Sequence, residues 1–158
     1  MIKIITTGPE SSGKSTLAQA LAGYYQVVWV PEYARDYLNK LNRPYQEEDL
    51  LKIAKGQIKR EDEAAKGKPD LLICDTSLMV IKIWSEYRYR RCHPWILKQI
   101  ERRPLDLYLL CTPDIPWEPD PQRENPTNRD ELFLLYQQAL ADEPAVTIQG
   151  NYQQRLTQ

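Results

Sequence analysis

The sequence predicts an α/β protein built on a five-stranded parallel sheet with helices on both faces. Three observations lead there. Short apolar runs alternate with longer, charged, helix-like stretches along the whole chain, which is the pattern of repeated strand–helix–strand units. Residues 70–74 (DLLIC) form a continuous apolar run, as a strand buried on both faces must. Gly8 to Ser15 reads G-x-x-x-x-G-K-S, the phosphate-binding loop pattern, set between a strand-like and a helix-like segment.

The first strand is predicted over residues 1–6 (MIKIIT), and the Ala/Leu-rich residues 15–23 form the helix that leaves the loop. Gly8 and Gly13 permit the tight turn that aims backbone N–H groups at a di- or triphosphate. The loop ends at a helix N-terminus, where unpaired N–H groups and the helix dipole favour anions. Lys14 can reach the β- and γ-phosphates, and the Ser15 hydroxyl can reach Mg²⁺. Glu10, Ser11, Ser12 and Thr16 complete the expected ATP-binding set. A P-loop NTPase is therefore the expected fold.

A second strand is expected over 27–30 (VVWV), closed by Pro31. Residues 46–66 carry Leu50, Leu51, Ile53, Ala54 and Ile58 on one rough face, so a long amphipathic helix is predicted. After the strand at 70–74, residues 78–89 and 94–103 read as helices, with Pro94 near the start of the second. A strand over 105–111 follows. Residues 112–128 hold five prolines, which exclude helix and central strand and mark a long functional loop. Asn128 is then expected to cap a helix to about residue 141, followed by a strand at 145–148 and a short helix at 152–156. Ligands bind at the C-terminal ends of such strands, which selects the loops starting at Gly8, Glu32, Asp75, Thr112 and Gly150.

Bulk properties restrict the partners. At 158 residues, 42% hydrophobic and 27% charged, with a net charge of −1, the chain suits one soluble domain over 1–158. That balance offers no strong field for nucleic acid or an anionic membrane. No apolar run is long enough to span a bilayer, and the first strand begins at once, so no signal peptide is expected. Cys74, Cys92 and Cys111 are odd in number and widely spaced, which fits free thiols in the cytoplasm. Cys92-His93 lacks partners at metal-ligand spacing, so zinc is not expected.

Several residues carry candidate chemistry. Glu32 and Asp36 follow the second strand, and either can accept the proton of a hydroxyl that attacks the γ-phosphate; a surface ion pair with Arg35 is the competing reading. Asp75 ends an apolar strand and can hold Mg²⁺ or a substrate hydroxyl, with helix capping the alternative. Arg123 and Arg129 lie in or beside the proline-rich loop, where an arginine can stabilise a transferring phosphoryl group as the loop closes. Exposed ion pairs are the competing reading. Tyr33, Trp84, Tyr87 and Trp117 can stack on a ring, although packing is the simpler role for each.

The segments GPESSGKST, VPEYARDYL, DTS and DIPWEPDPQRENP together resemble the ribosylnicotinamide kinase domain of the bacterial bifunctional NAD-biosynthesis regulators. The resemblance covers nearly the whole chain. It implies transfer of the γ-phosphoryl group of ATP to nicotinamide riboside, giving nicotinamide mononucleotide, in a nucleoside/nucleotide-kinase-like fold with a mobile lid over about 112–128. It places Glu32, Tyr33, Arg35 and Asp36 in the substrate-binding segment, and Asp75 in a segment like the Asp/Glu-x-Ser element of nucleoside kinases. Trp117 and Arg123 fall in the lid, and Asn151 opens the adenine-side loop at 151–155. The adenylyltransferase domain of longer members, and the DNA-binding domain of some, are expected to be absent. The partner expected is a small nucleoside; the oligomeric state is left open. A deoxynucleoside or nucleoside-monophosphate kinase, or a nucleotide sensor with little turnover, are the alternatives.

Overall fold

A computed structural model describes residues 1–103 and 105–158. Strands β1 (Ile2–Thr7), β2 (Trp29–Val30), β3 (Leu71–Asp75), β4 (Leu107–Cys111) and β5 (Ala145–Ile148) form one sheet in the order β2-β3-β1-β4-β5. Every neighbouring pair is parallel, with Ile5 opposite both Cys74 and Tyr108. The helices are α1 (Lys14–Tyr25), α2 (Tyr33–Lys40), α3 (Glu47–Ala65), α4 (Leu78–Tyr89), α5 (Pro94–Arg102), α6 (Arg129–Ala139) and α7 (Tyr152–Leu156).

Alternation along the strands divides the core between the two faces. Ile5, Leu72, Cys74, Tyr108 and Leu110 pack with Met79 and Ile83 of α4 and Tyr136 and Leu140 of α6. The opposite face gives Ile73 to Ala18 and Ala22 of α1, and Cys111 and Ile148 to Leu17. A second apolar layer, built on Leu50, Ile53, Ala54, Leu78, Ile81 and Ile96, binds α3, α4 and α5 together outside the sheet. Helices thus cover both faces, as the doubly apolar strand pattern requires.

Local chemistry sets the boundaries. β2 is shorter than predicted because the Val27 N–H still bonds to the Ala22 carbonyl of α1 (3.0 Å), and Val28 is exposed. β4 starts two residues late because the Asp106 carboxylate accepts the Lys3 N–H (2.6 Å) in place of a backbone partner. A capping box between Gln46 and Asp49 starts α3, and His93 Nδ1 accepts the Trp95 N–H at the start of α5 (3.1 Å). Asn128 precedes α6 without a side-chain cap; its amide donates instead to the Tyr87 hydroxyl (2.6 Å). Among the described residues, no helix is long and apolar enough to cross a membrane.

β1 lies between β3 and β4. The chain therefore departs to opposite sides of β1, and a crevice opens beyond its C-terminal end.

Candidate active site

The phosphate loop occupies that crevice. Gly8 has φ 135°, and a Cβ there would sit 2.6 Å from the Cys111 carbonyl oxygen, so only glycine lets the loop leave β1 beside the end of β4. Gly13 has φ 85° and starts α1. The Ser12 hydroxyl and the Lys14 ammonium both donate to the Pro9 carbonyl (2.7 and 2.8 Å), which keeps Lys14 folded along the loop.

A cleft of about 250 Å³ is lined by residues 8–16 of this loop, by Glu32 and Arg35, by the inward sides of α4 and α6, and by residues of the proline-rich segment including Glu118 and Arg123. Asp75 is buried at the end of β3, next to the loop. Its Oδ2 accepts the Ser15 hydroxyl (2.5 Å), while Oδ1 is buried with no hydrogen-bond partner among the described residues. Asp75 does not cap α4; the Ser77 hydroxyl does, accepting the Met79 N–H (3.2 Å). A carboxylate with an open oxygen beside a hydroxyl suits a hard divalent cation. Burial pushes the Asp75 carboxyl above its ordinary value, against the pull of the Ser15 hydrogen bond and of Lys14. Between Asp75 and Ser77 the backbone is strained, with Thr76 at φ 68°; a β-branched residue rarely adopts this conformation.

Glu32 is the residue just before α2 and its carboxylate lines the cleft. No side-chain hydrogen bond engages it among the described residues. Burial raises its carboxyl above the ordinary value; Lys14 pulls it down and Asp75 pushes it further up. A half-buried carboxylate of this kind, without a side-chain partner beside the loop, is placed to accept a proton.

Residues 112–128 lie across the cleft. Their prolines leave few internal bonds, and the remaining donors reach outward. The Glu118 N–H donates to the Ser11 hydroxyl (2.9 Å), and the Glu124 and Asn125 N–H groups donate to the Glu10 carboxylate (3.0 and 2.9 Å). Asp120 accepts from Arg35 (2.7 Å), and the Gln122 amide donates to the Arg35 carbonyl (3.2 Å). This segment is thus fastened to the phosphate loop on one side and to α2 on the other.

The structure brings Gly8, Glu10, Ser11, Ser12, Gly13, Lys14, Ser15, Thr16, Glu32, Arg35 and Arg123 to the cleft, and sets Asp75 against Ser15. Five other candidates stand elsewhere. Asp36 turns away from Glu32 and pairs with Arg60, beside a separate cavity, because Glu32 precedes α2 and does not share its face. The Tyr33 ring packs on Gly56 of α3, where a Cβ would approach to 2.0 Å, and Arg60 lies over it at 4.8 Å. That ring anchors α2 and is not at the cleft. Trp117 is held between Arg123 (5.9 Å) and Arg129 (5.6 Å) and does not line the cleft. Arg129 sits behind the loop, donating to the Ser11 and Ile115 carbonyls (2.9 and 3.0 Å). Asn151 starts α7 through a capping box with Gln154 and stays exposed.

Sequence reasoning understated two features. Val80, Ile83, Trp84 and Tyr87 form a stripe on α4 that lines the cleft. Their i, i+3, i+4, i+7 spacing marks an apolar face, but spacing does not say what covers that face. Arg155 is buried against the phosphate loop, and no local pattern announces it.

Comparison with known proteins matches this geometry. The family model described as an AAA domain matches residues 3–155. The chain is 32% identical over 117 residues to the trifunctional NAD biosynthesis/regulator protein NadR of Salmonella typhimurium, covering 72% of this chain and 28% of that protein. It therefore spans little more than a quarter of the length of that relative. A crystal structure of NadR in complex with NR superposes with a TM-score of 0.77 at 20% identity, covering 96% of this chain and 44% of that one. NadR in complex with NAD and AMP-PNP gives 0.75 at 20% identity, covering 99% and 47%. The P-loop kinase fold predicted from the sequence is thus the fold observed, and the chain belongs to the AAA domain family of P-loop proteins as a homologue of NadR.

Proposed function

We propose that this protein is an ATP-dependent kinase that phosphorylates a ribose hydroxyl of nicotinamide riboside, in the cytoplasm, to give nicotinamide mononucleotide. The observation that carries the proposal is Glu32: a carboxylate raised by desolvation and, among the described residues, free of side-chain partners, lining the same cleft as a complete phosphate loop. The choice of acceptor is supported by the NadR relative and by the NadR structure with NR. The cleft chemistry also favours it. Glu10, Glu32, Glu118 and Glu124 line the cleft with the aromatic rings of Trp84 and Tyr87, a setting for a cationic ring. The negative charge of an acceptor phosphate is poorly matched there, since Arg35 is already paired with Asp120.

In this reading the loop N–H groups hold the ATP phosphates, and Lys14 exchanges its Pro9 contact for the β- and γ-phosphates. Ser15 and Asp75 are the residues that would hold Mg²⁺, and the open Asp75 Oδ1 fits that role. A divalent cation held by Ser15 and Asp75 would neutralise charge on the ATP phosphates. The acceptor oxygen forms a bond to the γ-phosphorus as the bond to the β–γ bridging oxygen breaks, and Glu32 takes the hydroxyl proton. Arg123 from the lid stabilises charge on the transferring group, and closure excludes water as a competing acceptor.

An acceptor panel with ATP, read as ADP formed and as product mass, tests the proposal. Nicotinamide riboside is expected to gain one phosphoryl group. Product from a deoxynucleoside or nucleoside monophosphate, with none from nicotinamide riboside, would transfer the activity to that acceptor class. ATP binding without transfer to any acceptor would make the protein a nucleotide sensor.

A further inference from the structure

We infer that Arg155 is a positioning residue for the phosphate loop, holding the Ser12–Gly13 peptide in its phosphate-ready orientation from behind. Arg155 is on α7, outside the cleft, and only 6% exposed. Its guanidinium makes four hydrogen bonds: to the Ser12 carbonyl, to the Gly150 carbonyl (2.7 Å), to the Thr112 carbonyl (2.9 Å) and to Asp114 Oδ1 (2.5 Å). One side chain thereby joins the loop to the ends of β4 and β5 and to the root of the lid.

Peptide geometry gives the contact its consequence. The Ser12 carbonyl and the Gly13 N–H belong to one planar trans peptide and point in opposite directions. Drawing the carbonyl to the rear presents the N–H at the front, where a phosphate oxygen binds. The guanidinium also packs against Gly13, where a Cβ would sit 3.0 Å from Nη1; the glycine is needed there for clearance as well as for its φ. Arg129 acts alike on the preceding peptide, through the Ser11 carbonyl. Asp114 completes the arrangement by accepting the Gly150 N–H (2.6 Å) with its second oxygen. Lysine could not replace Arg155, since a single ammonium cannot span carbonyls set around a planar fork.

The inference rests on nucleotide binding at the loop and not on the identity of the acceptor. Arg155→Lys and Arg155→Ala test it through calorimetric binding of a non-hydrolysable ATP analogue with Mg²⁺, the KM for ATP against that for the acceptor, and the melting temperature. Arg155→Lys is expected to weaken the analogue about tenfold or more, with the acceptor KM within about twofold of wild type. Arg155→Ala should lose more, and millimolar methylguanidinium should restore part of the loss while methylammonium does not. Analogue affinity in Arg155→Lys equal to wild type would overturn the inference. So would losses for both substrates in parallel with the melting temperature and without rescue, which would leave Arg155 a purely structural lock. Should Arg155→Ala not fold, Arg155→Lys carries the decision. Wild-type protein that binds no ATP analogue would sink the nucleotide reading itself, and the inference with it.

Discussion

The molecule holds two kinds of buried or half-buried carboxylate, one on α3 and one at the strand ends. Asp49 on α3 is fully buried and fully satisfied: it accepts from the Tyr37 hydroxyl (2.7 Å), Arg43 (2.7 Å) and the Gln46 N–H (2.8 Å). The Arg43 hydrogen bond, the largest influence, holds its carboxyl well below the ordinary range. Glu61, on the same helix, is paired with Lys3 (2.5 Å) and Arg103 (3.5 Å). Among the described residues, buried Asp75 keeps one oxygen without a partner and half-buried Glu32 has no side-chain partner; desolvation pushes both carboxyls up. Burial alone does not distinguish scaffold from site; satisfaction does. A buried polar atom without a partner is disfavoured in a folded chain unless something outside the chain completes it. The comparison is sharpest when each half is broken separately: the site half should lose turnover, and the scaffold half stability.

The largest effect is expected at Lys14. Lys14→Ala removes the cation proposed to meet the transferring phosphoryl group, and kcat/KM should fall by about 10³-fold with the fold intact, since among the described residues the side chain bonds only to the Pro9 carbonyl. Activity near that of wild type, measured as ADP release, would remove Lys14 from the mechanism. Glu32→Gln comes next. Turnover should fall by about 10²-fold while affinity for an ATP analogue stays near wild type. In the wild type, the acidic limb of kcat/KM should lie above the ordinary glutamate value of 4.5, and Glu32→Gln should abolish that limb.

The two halves were not equally legible in the sequence. The phosphate loop could be read because its geometry forces residue types: Gly8 and Gly13 are written into the chain by a close carbonyl and a positive φ. Asp75 and Glu32 could be found because parallel strands end at the site. Asp36, Tyr33 and Trp117 could not be sorted from Glu32 and Arg123, because a helix start and a proline-rich loop have no fixed period to say which way a side chain faces. Two residues of α3 decided the first two: Gly56 lets Tyr33 pack on the helix, and Arg60 takes Asp36. Arg155 lies far along the chain from its Ser12 contact, so no local spacing points to it.

Stability should run the other way. Asp49→Asn removes the charge that pairs with Arg43 and replaces one of the two acceptor oxygens by a donor NH2, and should cost about 2 kcal/mol, or roughly 5 °C in melting temperature for a domain of this size. Glu32→Gln should raise the melting temperature at neutral pH, since ionised Glu32 opposes folding. The signs follow from linkage. The Glu32 carboxyl is raised by folding, so its contribution is favourable below its unfolded value and is lost as pH rises through the folded one. The Asp49 carboxyl is lowered, so its contribution is present above the unfolded value and lost as pH falls through the folded one. Melting curves across pH should therefore show the gain from Glu32→Gln shrinking on acidification, and the loss from Asp49→Asn shrinking too. A Glu32→Gln protein less stable than wild type at neutral pH would contradict the division between site and scaffold.

The smallest effect is expected at Asp36, which makes it the finest test of that division. Asp36 is a carboxylate one helical turn from Glu32, and the sequence allows either as the base. In the structure its side chain is 50% exposed and paired with Arg60, and an exposed pair of this kind contributes little. Arg60 also stacks over the Tyr33 ring, a contact that does not depend on the Asp36 carboxylate. Asp36→Asn should therefore leave kcat, both KM values and the melting temperature close to wild type, with kcat changed by no more than about twofold. A fall in kcat as large as that of Glu32→Gln would mean that α2 turns in the working enzyme to bring Asp36 into the cleft. The Tyr33 contact with Gly56 would have to break for that to happen, which a tyrosine-specific probe at Tyr33 would detect during turnover.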